Sequence, residues 1–254
     1  MKKRYSIASA CLAMTIAAAL AASLIGCGPK EKAPQLKRYD AQFLDLFDTV
    51  TSIVGYAKDE DTFRAYAQEL YDQLTIYHQL YDIYHEYEGM ANLKTINDQA
   101  GIAPVQVDEK IISMLKEAVA MNEKTGGYMN VAMGSVLSIW HQYRTEGIQD
   151  PEHAALPPME ELEAAAAYTD ISRMIIDEEA STVFLPDKEM SLDVGSIAKG
   201  YATEMACRSL EEDGLAYGLV SVGGNVRAIG TRDDGSLWKV GIQNPDLSSE
   251  TKYL

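Results

Sequence analysis

One short run late in the chain, residues 192–202, combines residue types that suit a phosphate-bearing ligand. It places a carboxylate at Asp193, a small hydroxyl at Ser196 and a cation at Lys199, with a glycine in the turn between strand and helix. Unpaired backbone N–H groups and the dipole at a helix N-terminus favour negative charge. The run therefore predicts an anion-binding turn. The alternative is an ordinary strand-to-helix connection, in which the glycine serves only the geometry of the turn.

The elements that must position this run form a mixture of helices and hairpins. Apolar residues at helical spacing predict helices over 59–80, 107–125, 159–168 and 197–210. A run rich in β-branched and aromatic residues predicts a strand over 44–56. Further strands are predicted over 174–177, 182–185, 191–194, 217–222, 226–229 and 237–242. This order lacks the regular alternation of a parallel α/β fold, so we predict the α+β class, as a single domain with a mixed sheet and flanking helices.

The first 26 residues are typical of an export signal, with a basic start, an alanine-rich apolar run and small residues at the end. The ending Leu-Ile-Gly-Cys resembles a bacterial lipobox, and by that resemblance Cys27 is acylated after cleavage. We therefore expect a lipid anchor on the extracytoplasmic face of the cell membrane. The alternative is a plain transmembrane anchor, for which the apolar run is near the lower length limit. Residues 27–38 would form the lipid-anchored tether.

Charge and cysteine content narrow the class further. The formal net charge of −16 argues against nucleic acid as a partner and against electrostatic binding to anionic lipid. Of the three cysteines, Cys11 leaves with the signal and Cys27 would carry lipid, so Cys207 has no partner and no disulfide is expected. Cys207 lies in a predicted helix and is expected to be a small core residue.

Several separated segments match one family in the right order. The most specific is Asp-Val-Gly-Ser-Ile-Ala-Lys-Gly-Tyr-Ala, where the family shows Asp-x-Gly-x-x-x-Lys-Gly-Tyr-Ala. By these motifs the chain resembles the ApbE-type FAD:protein FMN transferases, which are commonly bacterial lipoproteins. The resemblance covers nearly everything after the tether. The other matching segments are Phe47-Asp48-Thr49, residues 81–97, Gly127-Tyr128-Met129-Asn130 continuing to Trp140, and Ser221-Val222-Gly223-Gly224-Asn225 with the later Gly230.

The resemblance implies an enzyme that uses FAD as substrate and Mg²⁺ as cofactor. It would cleave FAD, release AMP and place FMN through a phosphoester bond on a threonine or serine of a target protein. The implied partner is an extracytoplasmic flavoprotein, such as a subunit of an ion-pumping redox complex. The residue that activates the acceptor hydroxyl stays unassigned.

The resemblance also implies site residues. Ser196 would contact the metal through its hydroxyl or carbonyl oxygen, and Tyr87 is the rival of Tyr84 as the flavin-stacking tyrosine. Three positions depart from the family, since Phe47 replaces methionine, Asp48 replaces glycine and Asn130 replaces aspartate. The implied FAD-contacting residues are Phe47, Tyr84, Tyr128, Met129, Asn130, Asp193 and Lys199.

The family continues with a His-x-x-Asp-Pro segment and an Asp-Ala-x-x-Thr segment, and the second supplies further metal ligands. Neither occurs before Leu254. We therefore expect residues 39–254 to be a transferase domain whose C-terminal part is missing, and expect this polypeptide alone to be inactive or poorly folded. The alternatives are an FAD-binding carrier lipoprotein, an FAD pyrophosphatase without a protein acceptor, and a solute-binding lipoprotein. Release of AMP separates a carrier, which would release none, from the two activities that cleave FAD.

Overall fold

The computed structural model describes residues 35–246, 248 and 251–252, and the strands of this part form two antiparallel sheets. The larger sheet has the strand order β1-β2-β6-β7 and the smaller has the order β3-β5-β4. The pairing of β2 with β6 joins the first hairpin to a hairpin far along the chain. The strands are β1 (Lys37–Leu46), β2 (Thr49–Ala57), β3 (Val105–Gln106), β4 (Ile175–Asp177), β5 (Thr182–Phe184), β6 (Gly218–Val222) and β7 (Asn225–Ile229).

Helices pack against the larger sheet and confirm the predicted α+β class. Two of them, α1 and α6, contact each other and the sheet. The side chain of Asp59 accepts a hydrogen bond from the backbone N–H of Thr62 at 2.8 Å and so caps the start of α1. No helix in the described ranges is both long enough and apolar enough to cross a bilayer. The helices are α1 (Glu60–Leu80), α2 (Leu93–Asp98), α3 (Glu109–Lys124), α4 (Gly134–Gln149), α5 (Met159–Ala166) and α6 (Ala198–Glu212), with single 3₁₀ turns at Val131–Met133, Pro151–His153 and Ile171–Arg173.

One core joins the helices to the sheet. The inner face of α1 buries Leu70 and Leu74, while Ile53 and Val220 supply the sheet side. Cys207 on α6 is fully buried in this core, as predicted, and burial raises the pKa of its thiol to about 12. A thiol with so high a pKa is not a reactive nucleophile at neutral pH.

The prediction of one strand over 44–56 is wrong, because the chain reverses direction within it. Phe47 and Asp48 both adopt positive φ, 54° and 51°, and Leu46 pairs with Thr49 across the turn. A two-residue turn with positive φ at both positions is the type I′ hairpin turn, which glycine and asparagine usually signal. Phe-Asp does not carry that signal, so the turn was not predicted. Strand β1 begins at Lys37, just before the expected start of the domain at residue 39.

The strands predicted over 191–194 and 237–242 are also absent from the described structure. The N–H of Leu192 donates to the side-chain oxygen of Asn97 at 2.8 Å, and the amide of Asn97 donates back to the carbonyl of Leu192 at 3.0 Å. A side chain therefore takes the groups that a neighbouring strand would use. Residues 237–242 are mostly exposed and pair with no described strand. The predicted hairpin of 174–185 and the strands at 217–222 and 226–229 are confirmed as β4–β5, β6 and β7.

Candidate functional site

A cavity of about 270 Å³ lies where the β1–β2 turn, the loop after α1 and the start of α6 come together. These three segments are distant in sequence, yet each contains residues that the sequence pattern marked as ligand contacts. Four of the seven predicted FAD-contacting residues, Phe47, Tyr84, Asp193 and Lys199, line this one cavity. The full lining is Phe47, Asp48, His78, Tyr81, Asp82, Ile83, Tyr84, His85, Asp193, Val194, Gly195, Ala198 and Lys199.

Backbone contacts on both sides hold the Asp193 wall in place. The N–H of Asp193 donates to the carbonyl of Val131 at 2.8 Å, and one of its carboxylate oxygens accepts the N–H of Gly195 at 2.9 Å. Helix α6 then begins at Ala198 without a side-chain cap, and Lys199 in its first turn reaches the cavity. Ser196, the predicted metal contact, is exposed in this turn and does not belong to the lining.

The opposite wall is a loop organised around the carboxylate of Asp82. It accepts the backbone N–H of Tyr84 at 2.6 Å and the Tyr87 hydroxyl at 2.8 Å, and it lies 2.9 Å from Nδ1 of His85. Burial opposes ionisation of this side chain, but the hydrogen bonds together outweigh burial and lower the pKa of Asp82 below its usual 3.8. The buried side chain of Asn92 donates to the carbonyl of His85 at 2.8 Å and supports the same loop.

This loop settles which of the two rival tyrosines faces the cavity. Tyr84 lines it and is 57% exposed, whereas Tyr87 directs its hydroxyl into Asp82 and does not contribute to the lining. Burial and the bond to Asp82 raise the pKa of Tyr87 to about 12. Burial and the nearby carboxylate of Asp193 raise the pKa of Tyr84 as well, so its hydroxyl stays protonated at neutral pH. An exposed ring with a protonated hydroxyl suits stacking on a flat ligand.

The third wall is the Phe47 turn, which a histidine of α1 supports. The backbone N–H of Phe47 donates to Nδ1 of His78 at 3.4 Å, and the two rings meet edge-on with centroids 5.3 Å apart. These contacts hold a residue whose positive φ is costly for an aromatic side chain. His78 thus places the Phe47 ring at the cavity.

The segment predicted to contact FAD through Tyr128, Met129 and Asn130 does not line this cavity. Tyr128 is 97% exposed, and Met129 packs partly against the core. The side chain of Asn130 is engaged in structure, since it donates to the carbonyl of Thr169 at 2.8 Å and accepts the N–H of Ala132 at 2.9 Å. The segment nevertheless leads directly into the Val131 carbonyl that holds Asp193.

Sequence reasoning missed three residues of the site, His141, His78 and Asp82. The Nδ1 atom of His141, on α4, lies 3.3 Å from the hydroxyl oxygen of Tyr84. The two residues are 57 positions apart in the chain. The Nε2 atom of His141 lies 3.7 Å from a carboxylate oxygen of Asp193. No local pattern reveals such partners. The signal available for Asp82 was the presence of an aspartate within a cluster of tyrosines and histidines.

The charge around the cavity limits what can enter it. Three carboxylates, Asp48, Asp82 and Asp193, border it against one lysine, Lys199. A diphosphate would be repelled by these carboxylates unless a cation accompanied it. Within the described ranges, no group of three or more His, Cys, Asp or Glu side chains is placed to hold a metal ion. Cys27, the predicted lipidation site, lies outside the described residues.

Solved structures share this fold. The flavin transferase ApbE from Vibrio cholerae, in its H257G mutant, aligns with a TM-score of 0.69 and 23% identity, covering 82% of this chain and 68% of its own. The ApbE protein of Thermotoga maritima aligns with a TM-score of 0.68 and 26% identity, covering 86% and 68%.

Relatives and a family profile complete the comparison. A protein of Vibrio cholerae named FAD:protein FMN transferase is 27% identical over 165 residues, which are 65% of this chain and 47% of the relative. A protein of the same name from Treponema pallidum is 33% identical over 175 residues, 64% of this chain and 46% of the relative. The chain thus spans about half the length of the curated relatives it matches. The profile of the ApbE family matches residues 47–254, and the chain therefore belongs to the ApbE family.

Proposed function

We propose that this protein is an FAD:protein FMN transferase, which moves FMN from FAD to a threonine or serine hydroxyl of a target protein and releases AMP. The observation that carries the proposal is the meeting of Phe47, Tyr84, Asp193 and Lys199 at one cavity. Relatives that bear this name match 65% and 63% of this chain.

Each of these side chains has a role that its chemistry supports. The ring of Tyr84 stacks on the flavin, and Phe47 contacts it from the hairpin turn. The carboxylate of Asp193 accepts hydrogen bonds from the ribose or adenine, since an ionised carboxylate can only accept. Lys199 pairs with a phosphate at the start of α6. The flavin and the nucleotide thus have contacts on different walls of the cavity.

The reaction transfers the FMN moiety of FAD through its phosphorus atom. The oxygen of the acceptor hydroxyl attacks the phosphorus of the FMN half, and a new P–O bond forms there. The bond between that phosphorus and the bridging oxygen breaks, AMP leaves with that oxygen, and the proton of the acceptor hydroxyl passes to water. The protein's part is to hold the flavin and the diphosphate still while these bonds exchange.

We further propose that the activity depends on Mg²⁺. The excess of carboxylates around the cavity supports this, because a diphosphate needs a cation beside them. When bound, Mg²⁺ would neutralise the diphosphate and stabilise charge on the transferring phosphorus. The described residues fit such a site only in part, with Ser196 as one predicted ligand, so we assign no step to the metal. Chelation with EDTA should abolish transfer and excess Mg²⁺ should restore it; transfer that survives chelation would contradict this dependence.

Attachment to the membrane through Cys27 is a separate proposal. The lipobox-like ending before Cys27 supports it, and it would place the enzyme on the extracytoplasmic face, near flavoproteins such as subunits of ion-pumping redox complexes. Labelling cells with a fatty-acid analogue should mark the wild-type protein and not Cys27→Ala. Equal labelling of both proteins would rule out this anchor.

The decisive experiment incubates the full chain with FAD, Mg²⁺ and a candidate acceptor protein. Transfer would give covalent flavin fluorescence on the acceptor band in a denaturing gel, with one AMP released for each flavin attached. That result would support the proposed function and contradict the expectation that residues 1–254 alone are inactive. FAD binding without AMP would instead indicate a flavin carrier, and AMP with free FMN would indicate an FAD pyrophosphatase. Asp193→Ala and Lys199→Ala should each weaken FAD binding by about tenfold or more, the range for losing a hydrogen bond to a charged group. Unchanged affinity in both variants would mean that this turn is purely structural.

A further inference from the structure

The imidazole of His141 stands between two walls of the cavity without lining it. Its Nδ1 lies 3.3 Å from the Tyr84 hydroxyl, and its Nε2 lies 3.7 Å from one carboxylate oxygen of Asp193. The first distance is a long hydrogen bond and the second is within ion-pair range. The side chains of His141 and Asp193 are only 28% and 11% exposed. One side chain of α4 therefore contacts both a residue that meets the flavin and a residue that meets the nucleotide.

The hydrogen-bonding chemistry of the three groups is mutually consistent. The carboxylate of Asp193 can only accept, so the histidine tautomer that suits both neighbours carries its proton on Nε2. Its Nδ1 then accepts the proton of the Tyr84 hydroxyl, which stays protonated because its pKa is raised. Both ring nitrogens contact these neighbours, and His141 is not among the residues that line the cavity. His141 is therefore placed to orient other residues rather than to exchange protons with a substrate.

The two contacts to His141 orient the parts of Tyr84 and Asp193 that their own loop and turn do not hold. The loop anchors Tyr84 through its backbone, whereas the hydroxyl end of its exposed ring meets His141. One carboxylate oxygen of Asp193 accepts the N–H of Gly195, whereas the other lies near the imidazole of His141. Helix α4 is itself fixed at its start, where the N–H of Gly134 donates to the carbonyl of Ser191 at 3.0 Å.

We propose that His141 is a positioning residue that couples the flavin-contacting Tyr84 to the nucleotide-contacting Asp193. The proposal rests on the proposed function, because it takes FAD to be the ligand of this cavity. It predicts that the contributions of the two residues to FAD affinity depend on each other through the imidazole.

The test is a titration of the full-length protein with FAD, followed by quenching of flavin fluorescence. His141→Leu keeps a side chain of similar bulk and removes both polar contacts, so FAD should bind about fivefold to tenfold more weakly, the range for one ordinary hydrogen bond. His141→Gln keeps a donor and an acceptor and should restore at least half of that loss on a logarithmic scale. His153→Leu is the matched control. This exposed histidine does not line the cavity, and its Nδ1 lies 2.8 Å from a carboxylate oxygen of Asp150, so the variant should bind FAD as tightly as wild type.

A double-mutant cycle separates positioning from a general loss of structure. In the wild-type background, each of Tyr84→Phe and Asp193→Asn should lower FAD affinity by some factor. The double variant should lose at least about threefold less affinity than the product of those two factors, as for residues in one network. In the His141→Leu background the losses should multiply, and the same cycle run in His141→Gln should keep the coupling. The Gln variant gives this readout even where the Leu variant is poorly folded.

The outcomes distinguish this inference from the proposed function. If wild-type protein binds no FAD, the proposed function and this inference both fail. If it binds FAD and the His141 variants bind as tightly as wild type, only this inference fails. Losses that multiply in every background, or a Gln variant as weak as the Leu variant, would also overturn it.

Discussion

The backbone N–H of Gly134 donates a hydrogen bond to the carbonyl oxygen of Ser191 at 3.0 Å. The two backbone segments lie so close that no side chain fits between them. A methyl group at Gly134 would lie 2.5 Å from the carbonyl oxygen of Ser191. The contact joins the start of α4, which carries His141, to the segment that carries Asp193. This close approach allows two sequence-distant walls of the candidate site to share one support.

Gly134→Ala should therefore destabilise the protein. The added methyl forces α4 away from Ser191, and overpacking of this kind typically costs about 1–3 kcal/mol in the free energy of unfolding. Urea unfolding followed by circular dichroism measures the change. Gly200→Ala, within α6, is the matched control. Its added methyl would lie 3.4 Å from the side-chain oxygen of Asn225, which is an ordinary contact distance. We expect no loss there, since alanine favours helix; equal losses in both variants would contradict the role of the close approach.

Asp48→Gly should stabilise the protein. Asp48 adopts φ of 51° in the hairpin turn, a region that costs a residue with a β-carbon about 1–2 kcal/mol. The greater entropy that glycine gives the unfolded chain offsets about 0.4–1 kcal/mol of that gain. We expect the free energy of unfolding to rise by about 0.5 kcal/mol. Gln42→Gly in the regular part of β1 should lower it, and a loss in both variants would show that the turn is not strained.

Removal of the Tyr84 ring should weaken FAD binding more than any change at Tyr87. Tyr84→Ala should lose about tenfold in affinity, the scale of an aromatic stacking contact. Tyr84→Phe keeps the ring and loses only the hydroxyl contact to His141, so its loss should be smaller. Tyr87→Phe removes one of the hydrogen bonds to Asp82 outside the cavity lining and should lose least. Calorimetry of FAD binding gives the order, and the reverse order would assign the stacking role to Tyr87.

The Asp82 loop should lose stability in acid. The pKa of Asp82 is lowered in the folded state, so its contribution to stability is complete above the unfolded value of 3.8 and is lost as pH falls through the lower folded value. The difference in unfolding free energy between wild type and Asp82→Asn should be constant near neutral pH and shrink as the pH drops below about 4.

Urea unfolding of both proteins across this pH range measures the difference in unfolding free energy. In a His85→Ala background this difference should be smaller, because the substitution removes one donor that favours the carboxylate of Asp82. A difference that grows in acid would mean that the carboxylate is not stabilised by its neighbours.

The repetitive parts of the fold were predictable because their signals are local. The apolar stripe of α1 and the β4–β5, β6 and β7 strands were predicted from spacing and residue type. The strand predicted over 191–194 is absent because alternating polar and apolar residues indicate extended backbone but not the partner that pairs with it. Here the partner is the side chain of Asn97, which lies 95 residues away from Leu192 in the chain.

The sequence by itself determined the family, the class of fold and the chemical character of the site, because residue type and spacing are written in the chain. Asp193 and Lys199 flank the start of a helix wherever that helix lies, and so their place at one helix N-terminus was predictable. Only the tertiary structure decided that Tyr84 rather than Tyr87 faces the cavity, and that His141 stands between Tyr84 and Asp193. Those relations depend on packing α4, the α1 loop and the start of α6 together, and distances across a packed core are not encoded in local periodicity.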